Sequence, residues 1–388
     1  MALTAFLRNV RVLQILAQIL FVLLLALAAG FLYANVTTNL GRQGLTVGYD
    51  FITNPASFDI GESYIPYEPS DSYGRALLVG LVNTLVLSVL GIIFTTVVGI
   101  IAGIARLSSN WLISKLAAAY VGVIRNTPLI IQLMFWYFGI VLQLPPVREA
   151  VALPGSIFLT QRGVYLPKFD PTPTVESWRV FIWIALVSIA LIWFLFRLIQ
   201  NRPGQLIPLW AYLAYIVVPV LILWIGFVIQ PEPPLKENLP VLTGLNFRGG
   251  LRSTPEFTAL LFGLVVYTGA FIAEIVRAGI QAVSGGQVEA ALSLGLTRPQ
   301  ALRLIIFPQA LRIIIPPLTS QYLNLAKNSS LAIAIGYPDL FSIAGTVINQ
   351  TGATIEVIVI MMLSYLSMSL FTSLLMNIYN SRMRLVER

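Results

Sequence analysis

The feature that most constrains this chain is a series of apolar stretches, each about 20 residues long and nearly free of charge, with polar segments between them. About 20 helical residues at 1.5 Å each span the roughly 30 Å hydrocarbon core of a bilayer. Of the 388 residues, 57% are hydrophobic and only 10% are charged. Soluble domains carry roughly 25% charged residues, so this chain has too few to solvate a surface of its size. Its solvent is lipid, and the expected fold is an all-α integral membrane protein.

The first span is Val12–Ala34, preceded by Arg8 and Arg11. Ala26-Leu27-Ala28 resembles a signal-peptide cleavage site, but the apolar run is about twice the usual length for a signal, so an uncleaved anchor is expected. Residues 35–75 are polar, with Asp50, Asp59, Glu62, Glu68 and Asp71 against Arg42 and Arg75. Further spans are predicted at about 76–105, 112–144, 178–199, 206–229, 256–280 and 353–379, with a broken apolar segment at about 312–336. The span at 112–144 is interrupted by Arg125-Asn126-Thr127-Pro128, and Arg202-Pro203-Gly204 makes a short turn between two others. That gives about eight transmembrane helices. Residues 145–177 and 230–254 read as Pro- and Gly-rich loops, residues 281–311 as polar but helical, and no short-period repeat is visible.

Lys and Arg collect in the cytoplasmic loops of membrane proteins. With a cytoplasmic N-terminus and alternating spans, the cytoplasmic segments hold Arg8, Arg11, Arg106, Lys115, Arg197, Arg202, Arg277, Arg298, Arg303, Arg312, Arg382, Arg384 and Arg388, against only Glu289 and Glu387. The opposite loops hold nine cations and eleven acids. This asymmetry accounts for the net charge of +8 without nucleic acid, and an even number of spans places both termini on the cytoplasmic side. The chain has no cysteine and no histidine. Disulfides, thiol catalysis, a Ser-His-Asp triad and imidazole metal sites are therefore excluded, and no metal is expected.

Between two predicted spans lies Gly286-Gln287-Val288-Glu289-Ala290-Ala291-Leu292-Ser293-Leu294-Gly295, running on to Ile305-Ile306-Phe307-Pro308. Glu289-Ala290-Ala291 lies among strong helix formers, and Gly295 is placed to end that helix in a left-handed turn. A second helix is expected from about Pro299, since Pro is tolerated in a first helical turn. Two short helices at an angle make a compact knob at the membrane face. The pattern Glu-Ala-Ala, three residues, Gly, nine residues, Ile-x-Leu-Pro resembles the coupling loop of bacterial ABC importer permeases, with Phe307 in the place of Leu. The resemblance implies that Glu289, Ala290, Ala291, Gly295, Ile305 and Pro308 meet a separate ATP-hydrolysing subunit. No Gly-x-x-x-x-Gly-Lys-Ser/Thr loop occurs in the chain. ATP-Mg is therefore assigned to that partner, and this chain is expected to be a non-catalytic subunit with no cofactor of its own.

Two more stretches narrow the resemblance. Arg125-Asn126-Thr127-Pro128 and Tyr267-Thr268-Gly269-Ala270-Phe271-Ile272-Ala273-Glu274-Ile275-Val276-Arg277 resemble signatures of polar amino-acid permeases, with Asn126 departing from Gly. Lys327-Asn328-Ser329-Ser330-Leu331 through Asp339-Leu340 is similar to the Q-type subunits of general L-amino-acid importers and to cyanobacterial neutral amino-acid permeases. The resemblance implies a type I permease core with an extra N-terminal helix and an inserted helical hairpin. The domains are then 1–75, the anchor and a periplasmic loop; 76–144, the first part of the core; 145–254, the insertion; and 255–388, the rest of the core with the coupling loop at 286–309. The implied partners are a homologous second permease subunit, two ATP-binding subunits, a periplasmic substrate-binding protein and the amino acid itself.

Charges at membrane depth are costly and face cavities or partners. Arg125 lies about 13 residues into its span, about 20 Å from the cytoplasmic end. Its planar fork suits a substrate carboxylate, and Glu274 suits the ammonium. Thr127, Lys327, Asn328 and Ser329 add polar contacts, while structural ion pairing of Arg125 and Glu274 is the competing reading. Asn328 stands where basic amino-acid members often have Asp, which argues against a strictly cationic substrate; neutral or polar L-amino acids over a broad range are expected. Asp339 is expected to cap or end the broken segment. The tyrosines Tyr49, Tyr64, Tyr67 and Tyr73 suit docking of a binding protein or a cap over the pore mouth. An ion-coupled secondary amino-acid transporter is the alternative, but it would need carboxylates at depth and internal repeats. Only Glu274 and Glu356 qualify as such carboxylates.

Overall fold

The computed structural model describes residues 10–42, 48–199 and 209–382. Arg8, the turn Arg202-Pro203-Gly204, Arg384, Glu387 and Arg388 lie outside the described residues. The chain divides into two units, one of Met1–Ile130 with Leu264–Arg388 and one of Ile131–Gly263.

The first unit opens with α1 (Val10–Arg42), a helix of 33 residues. Its apolar stretch from Leu13 to Asn35 buries nothing against the rest of the chain. The next helix, α2 (Tyr73–Arg106), is started by Ser72, whose hydroxyl accepts from Arg75 N–H at 3.3 Å. Its buried face runs through Gly80, Thr84, Ser88, Gly91, Thr95, Gly99 and Gly103. Small residues let backbones approach closely where lipid offers no hydrophobic drive to association. A Cβ added at Gly99 would lie 2.4 Å from Ile272 Cγ2, and one at Gly103 would lie 2.8 Å from the Ala273 carbonyl. The Thr95 hydroxyl then donates to the Val265 carbonyl across the same contact at 3.3 Å.

Asn110 caps α3 (Trp111–Asn126) by accepting from the Leu112 and Ile113 N–H groups. The helix stops where the sequence places its break. Pro128 disfavours helical geometry at the residue before it, and Thr127 is extended with φ −104° and ψ 128°. The freed carbonyls are not left bare: Thr127 Oγ1 donates to Val123 at 2.9 Å and Asn126 Nδ2 to Gly122 at 2.8 Å. Helical structure resumes in α4 (Leu129–Met134), which widens into a π turn at Phe135–Ile140.

In the second unit the segments expected as loops are ordered. Residues β1 (Val151–Leu153), β2 (Ile157–Thr160), β3 (Gly163–Leu166) and, from the far end of the unit, β8 (Leu251–Ser253) form an antiparallel sheet in the order β1-β2-β3-β8. Two ribbons accompany it, β4 (Lys168–Pro171) with β5 (Leu235–Asn238) and β6 (Val241–Thr243) with β7 (Asn246–Arg248). Strands of three or four residues are too short to print a readable alternation, and β3 meets β8 only across the inserted helices. Tyr165, Phe247 and Val147 form the small core, with the Tyr165 hydroxyl donating to Asn246 Oδ1 at 2.7 Å. Between the strands runs the expected hairpin of α5 (Val175–Ile199) and α6 (Leu209–Ile229). Gly226 allows a close approach there, since a Cβ would sit 2.4 Å from the Phe181 ring.

The long α7 (Pro255–Gln281) is followed by α8 (Gly285–Ser293), α9 (Arg298–Ala301), a π turn at Leu302–Ile306, α10 (Phe307–Asn328) and a 3-10 turn at Ser329–Ile335. The chain closes with α11 (Leu340–Thr351) and α12 (Thr354–Arg382). Among the described residues six helices are long and apolar enough to cross a membrane, or seven if α3 and the helical stretch from Leu129 to Gln143 are one broken span. Leu213–Ile229 of α6 is apolar but shorter. The expected eight is recovered only by counting both the Pro-broken pair and this short helix.

The small-residue face of α2 predicts a sharp asymmetry among glycines. Gly103→Val should lower stability by about 1–3 kcal/mol through overpacking. Gly122→Ala, where a Cβ meets nothing within 4 Å, should be close to neutral. Thermal unfolding of the detergent-solubilised protein measures both.

Candidate functional site

The candidate substrate and coupling residues all lie in the first unit; apart from Thr127, which sits at the break after α3, they fall into three groups. The first centres on Glu274. Arg106, the last residue of α2, bonds Glu274 Oε2, and Arg277 bonds Oε1 through Nη2 while its Nε donates to Oε2 at 3.2 Å. Arg277 Nη1 also bonds Gln281, at the end of α7. These side chains are half-buried, with 20–27% of their surface exposed. One turn back on α7, the Phe271 ring carries the Arg125 guanidinium 5.1 Å from its centroid. Arg125 and Arg277 both act electrostatically on Arg106. Arg125 itself is exposed and has no ion-pair partner among the described residues. Two guanidiniums thus share one carboxylate with a third, that of Arg125, nearby, and the local charge is positive. Arg125 and Glu274 do not pair with each other, and both oxygens of Glu274 are engaged.

The second group surrounds a cavity of about 560 Å³ whose walls include Lys327, Ser330, Phe341, Met361, Tyr365 and Ser369. Behind Tyr365 lies Asp339, which is fully buried. Asp339 caps α11 by accepting from Ser342 N–H at 2.9 Å, as the sequence predicts. Its other oxygen lies 3.4 Å from both Ser329 Oγ and Tyr365 Oη. Burial pushes the Asp339 carboxyl up to about 6, against the lowering effect of the Ser342 and Phe341 amides and the two hydroxyls. Lys327 is exposed to the cavity, Asn328 is half-buried and Ser329 is buried. Arg125, Thr127 and Glu274 do not line this cavity. Ser330, Tyr365 and Ser369 were not legible as wall residues, because α12 meets the Lys327 segment only through the fold.

The third group is the knob. α8 ends in a left-handed residue at Gly295, φ +82°, with Gly295 N–H donating to the Leu292 carbonyl at 2.9 Å and Leu296 N–H to Ala291 at 3.2 Å. These two bonds are those of a Schellman cap. The next helix is started by Thr297, whose N–H and hydroxyl both donate to Gln300 Oε1 at 2.9 Å, so the Gln reaches back as in a capping box. Helical geometry begins at Arg298, one residue before Pro299. Pro308 sits in the first turn of α10, directly after the π turn. A proline ring clashes with the carbonyl four residues back, and a π turn relieves that conflict. Glu289 and Ala290 are exposed, Ala291 is buried and Ile305 half-buried. Leu294, at the apex, is 83% exposed.

With that geometry in view, the chain can be placed in a family. The model of binding-protein-dependent transport system inner membrane components matches residues 95–385. The protein belongs to this family of multi-pass membrane permeases. It is 48% identical over 378 residues to the putative amino-acid ABC transporter permease YhdX of Escherichia coli K12, covering 96% of this chain and 94% of the relative. It is 45% identical over 381 residues to the general L-amino acid transport system permease AapQ of Rhizobium johnstonii, covering 96% and 92%. Identity to the glutamate/glutamine/aspartate/asparagine transport system permease BztB of Rhodobacter capsulatus is 38% over 408 residues, covering 96% and 93%.

The Asp339 environment generates a pH prediction. A carboxyl whose pKa rises on folding keeps its proton in the folded chain where the unfolded chain has lost it. Its contribution is complete below the unfolded value of about 3.9 and is lost as pH rises through about 6. The melting temperature should therefore fall by a few degrees, on the order expected for 1–2 kcal/mol, between pH 4.5 and pH 7. Asp339→Asn keeps a capping oxygen and should flatten that part of the profile. Thermal unfolding across this pH range checks it.

Proposed function

We propose that this chain is the membrane-spanning subunit of an ATP-driven amino-acid importer, carrying neutral and polar L-amino acids over a broad range. The observation that carries this reading is the knob. Two capped helices meet at Gly295 and present an exposed Leu294, while α7 leads into the knob and α10 leads out of it. Such a knob can seat in a soluble ATPase and pass on a push. The subunit works with a second, homologous permease, two ATP-binding subunits that use ATP-Mg, and a periplasmic substrate-binding protein. The names of the relatives, all amino-acid permeases, support the substrate class. Both termini and the knob lie on the cytoplasmic side, because the cationic segments sort there.

In this reading the domains are 1–75, 76–144, the insertion 145–254, and 255–388 with the coupling loop at 286–309. Glu289, Ala290, Ala291, Gly295, Ile305 and Pro308 form or hold the coupling surface. Arg125 and Lys327 offer the cations for the amino-acid carboxylate, and Thr127, Asn328 and Ser329 supply neutral contacts. Glu274, its carboxylate held by Arg106 and Arg277, acts as the counter-charge that sets the field at Arg125. Tyr67 and Tyr73 hydrogen-bond to Phe58 and Gln350 within the chain, which leaves Tyr49, 50% exposed, as the more available docking aromatic.

Uptake of labelled amino acid by vesicles holding the whole complex tests this. Uptake should require ATP inside the vesicle and the binding protein outside. Arg125→Gln should raise the apparent KM at least tenfold, about 1.4 kcal/mol, with assembly unchanged. Uptake driven by an ion gradient without ATP would contradict the assignment.

A further inference from the structure

Residues in successive turns of α7 tie that helix to two others, Phe271 to α3 and Glu274 to α2. Phe271 holds Arg125 of α3, Glu274 holds Arg106 at the end of α2, and Arg277 holds both Glu274 and Gln281, with α8 beginning at Gly285. Earlier in α7, the Tyr120 hydroxyl of α3 donates to the Val266 carbonyl at 2.7 Å and Thr95 of α2 to Val265 at 3.3 Å. The exit side of the knob is fixed as well, because a Cβ at Gly279 would lie 2.3 Å from Ile314 of α10. A half-buried carboxylate bound by two guanidiniums, one of them through two of its nitrogens, is held by short charge-assisted bonds in a fixed fork geometry and so resists separation.

We infer that Glu274 is a positioning residue for energy coupling: it clamps α2 to the helix that enters the knob, beside the Phe271 contact that holds Arg125 of α3, so that a push at α8 moves Arg125 as part of one rigid block. This rests on the knob being the ATPase contact proposed above. The displacement reaches the membrane through α7 without being absorbed by bending at Arg277–Gln281. Arg106 then has a function that its place at the end of α2 does not announce.

The chain has no cysteine, so two can be introduced cleanly. Spin labels at Ser109→Cys and Ala282→Cys, both exposed, report the spacing between the ends of α2 and α7 in the intact complex. The parent should give one narrow distance, identical with and without trapped nucleotide, and Glu274→Gln should broaden it. A parent distance that shifts with nucleotide would overturn the clamp, as would a Glu274→Gln distribution identical to the parent. In transporting vesicles, amino acid moved per ATP hydrolysed should fall about tenfold in Glu274→Gln and Arg106→Gln, while Arg106→Lys retains most of it. An unchanged ratio in Glu274→Gln would also overturn the inference. If no variant and no parent transports amino acid, the functional reading fails while the distance measurement still decides the clamp.

Discussion

The constraint on which this structure depends is that a bilayer core supplies no hydrogen bonds, so each break in a helix must satisfy itself. At Thr127-Pro128 the hydroxyl and amide of Thr127 and Asn126 turn back onto the helix they end. At the second break, between Ser329 and Leu340, the side chains come from elsewhere. Asn83 Nδ2 donates to the Pro338 carbonyl at 2.9 Å, and Leu340 N–H donates to Thr84 Oγ1 at 3.0 Å. The polar side of α2 is thus committed to holding the break in place. Asp339, at the end of that break, is buried because it caps α11 from inside the fold, accepting from Ser342 N–H.

Charges obey the same economy. Glu274 is kept by two guanidiniums and Asp339 by amides and hydroxyls, whereas Arg125 and Lys327 remain exposed without an ion pair among the described residues. The acids are thus engaged within the fold, and the two cations stay open to their surroundings. The knob follows directly on the helix that carries Glu274, so the carboxylate and the knob belong to one continuous stretch of chain, α7 into α8.

Much of this is legible in the sequence because its signals are local. Pro128 announces the end of α3, Gly295 the left-handed turn, and Asp339 the cap. The spacing of Glu274 and Arg277 places both on one face of a helix. What is not legible depends on contacts across the fold. Arg106 reads as one more positive residue of a loop, and nothing local says that it reaches Glu274. Tyr365 joins Asp339 only because α12 packs behind the break. The strands of the second unit escape for a different reason: each is three or four residues long, and the partner of β3 comes only after the two inserted helices in the sequence.

The central claim is that α7 and the knob behave as one mechanical element bound to α2 and α3. Hydrogen exchange of the amides from Val266 to Ala282, measured in the assembled complex through the nucleotide cycle, tests it most directly. The account predicts slow exchange that is the same in the resting and the nucleotide-trapped complex, with any change confined to α8 and the turn at Gly295. Faster exchange at Glu274–Gln281 on nucleotide binding would show that the helix yields there, and would contradict the account.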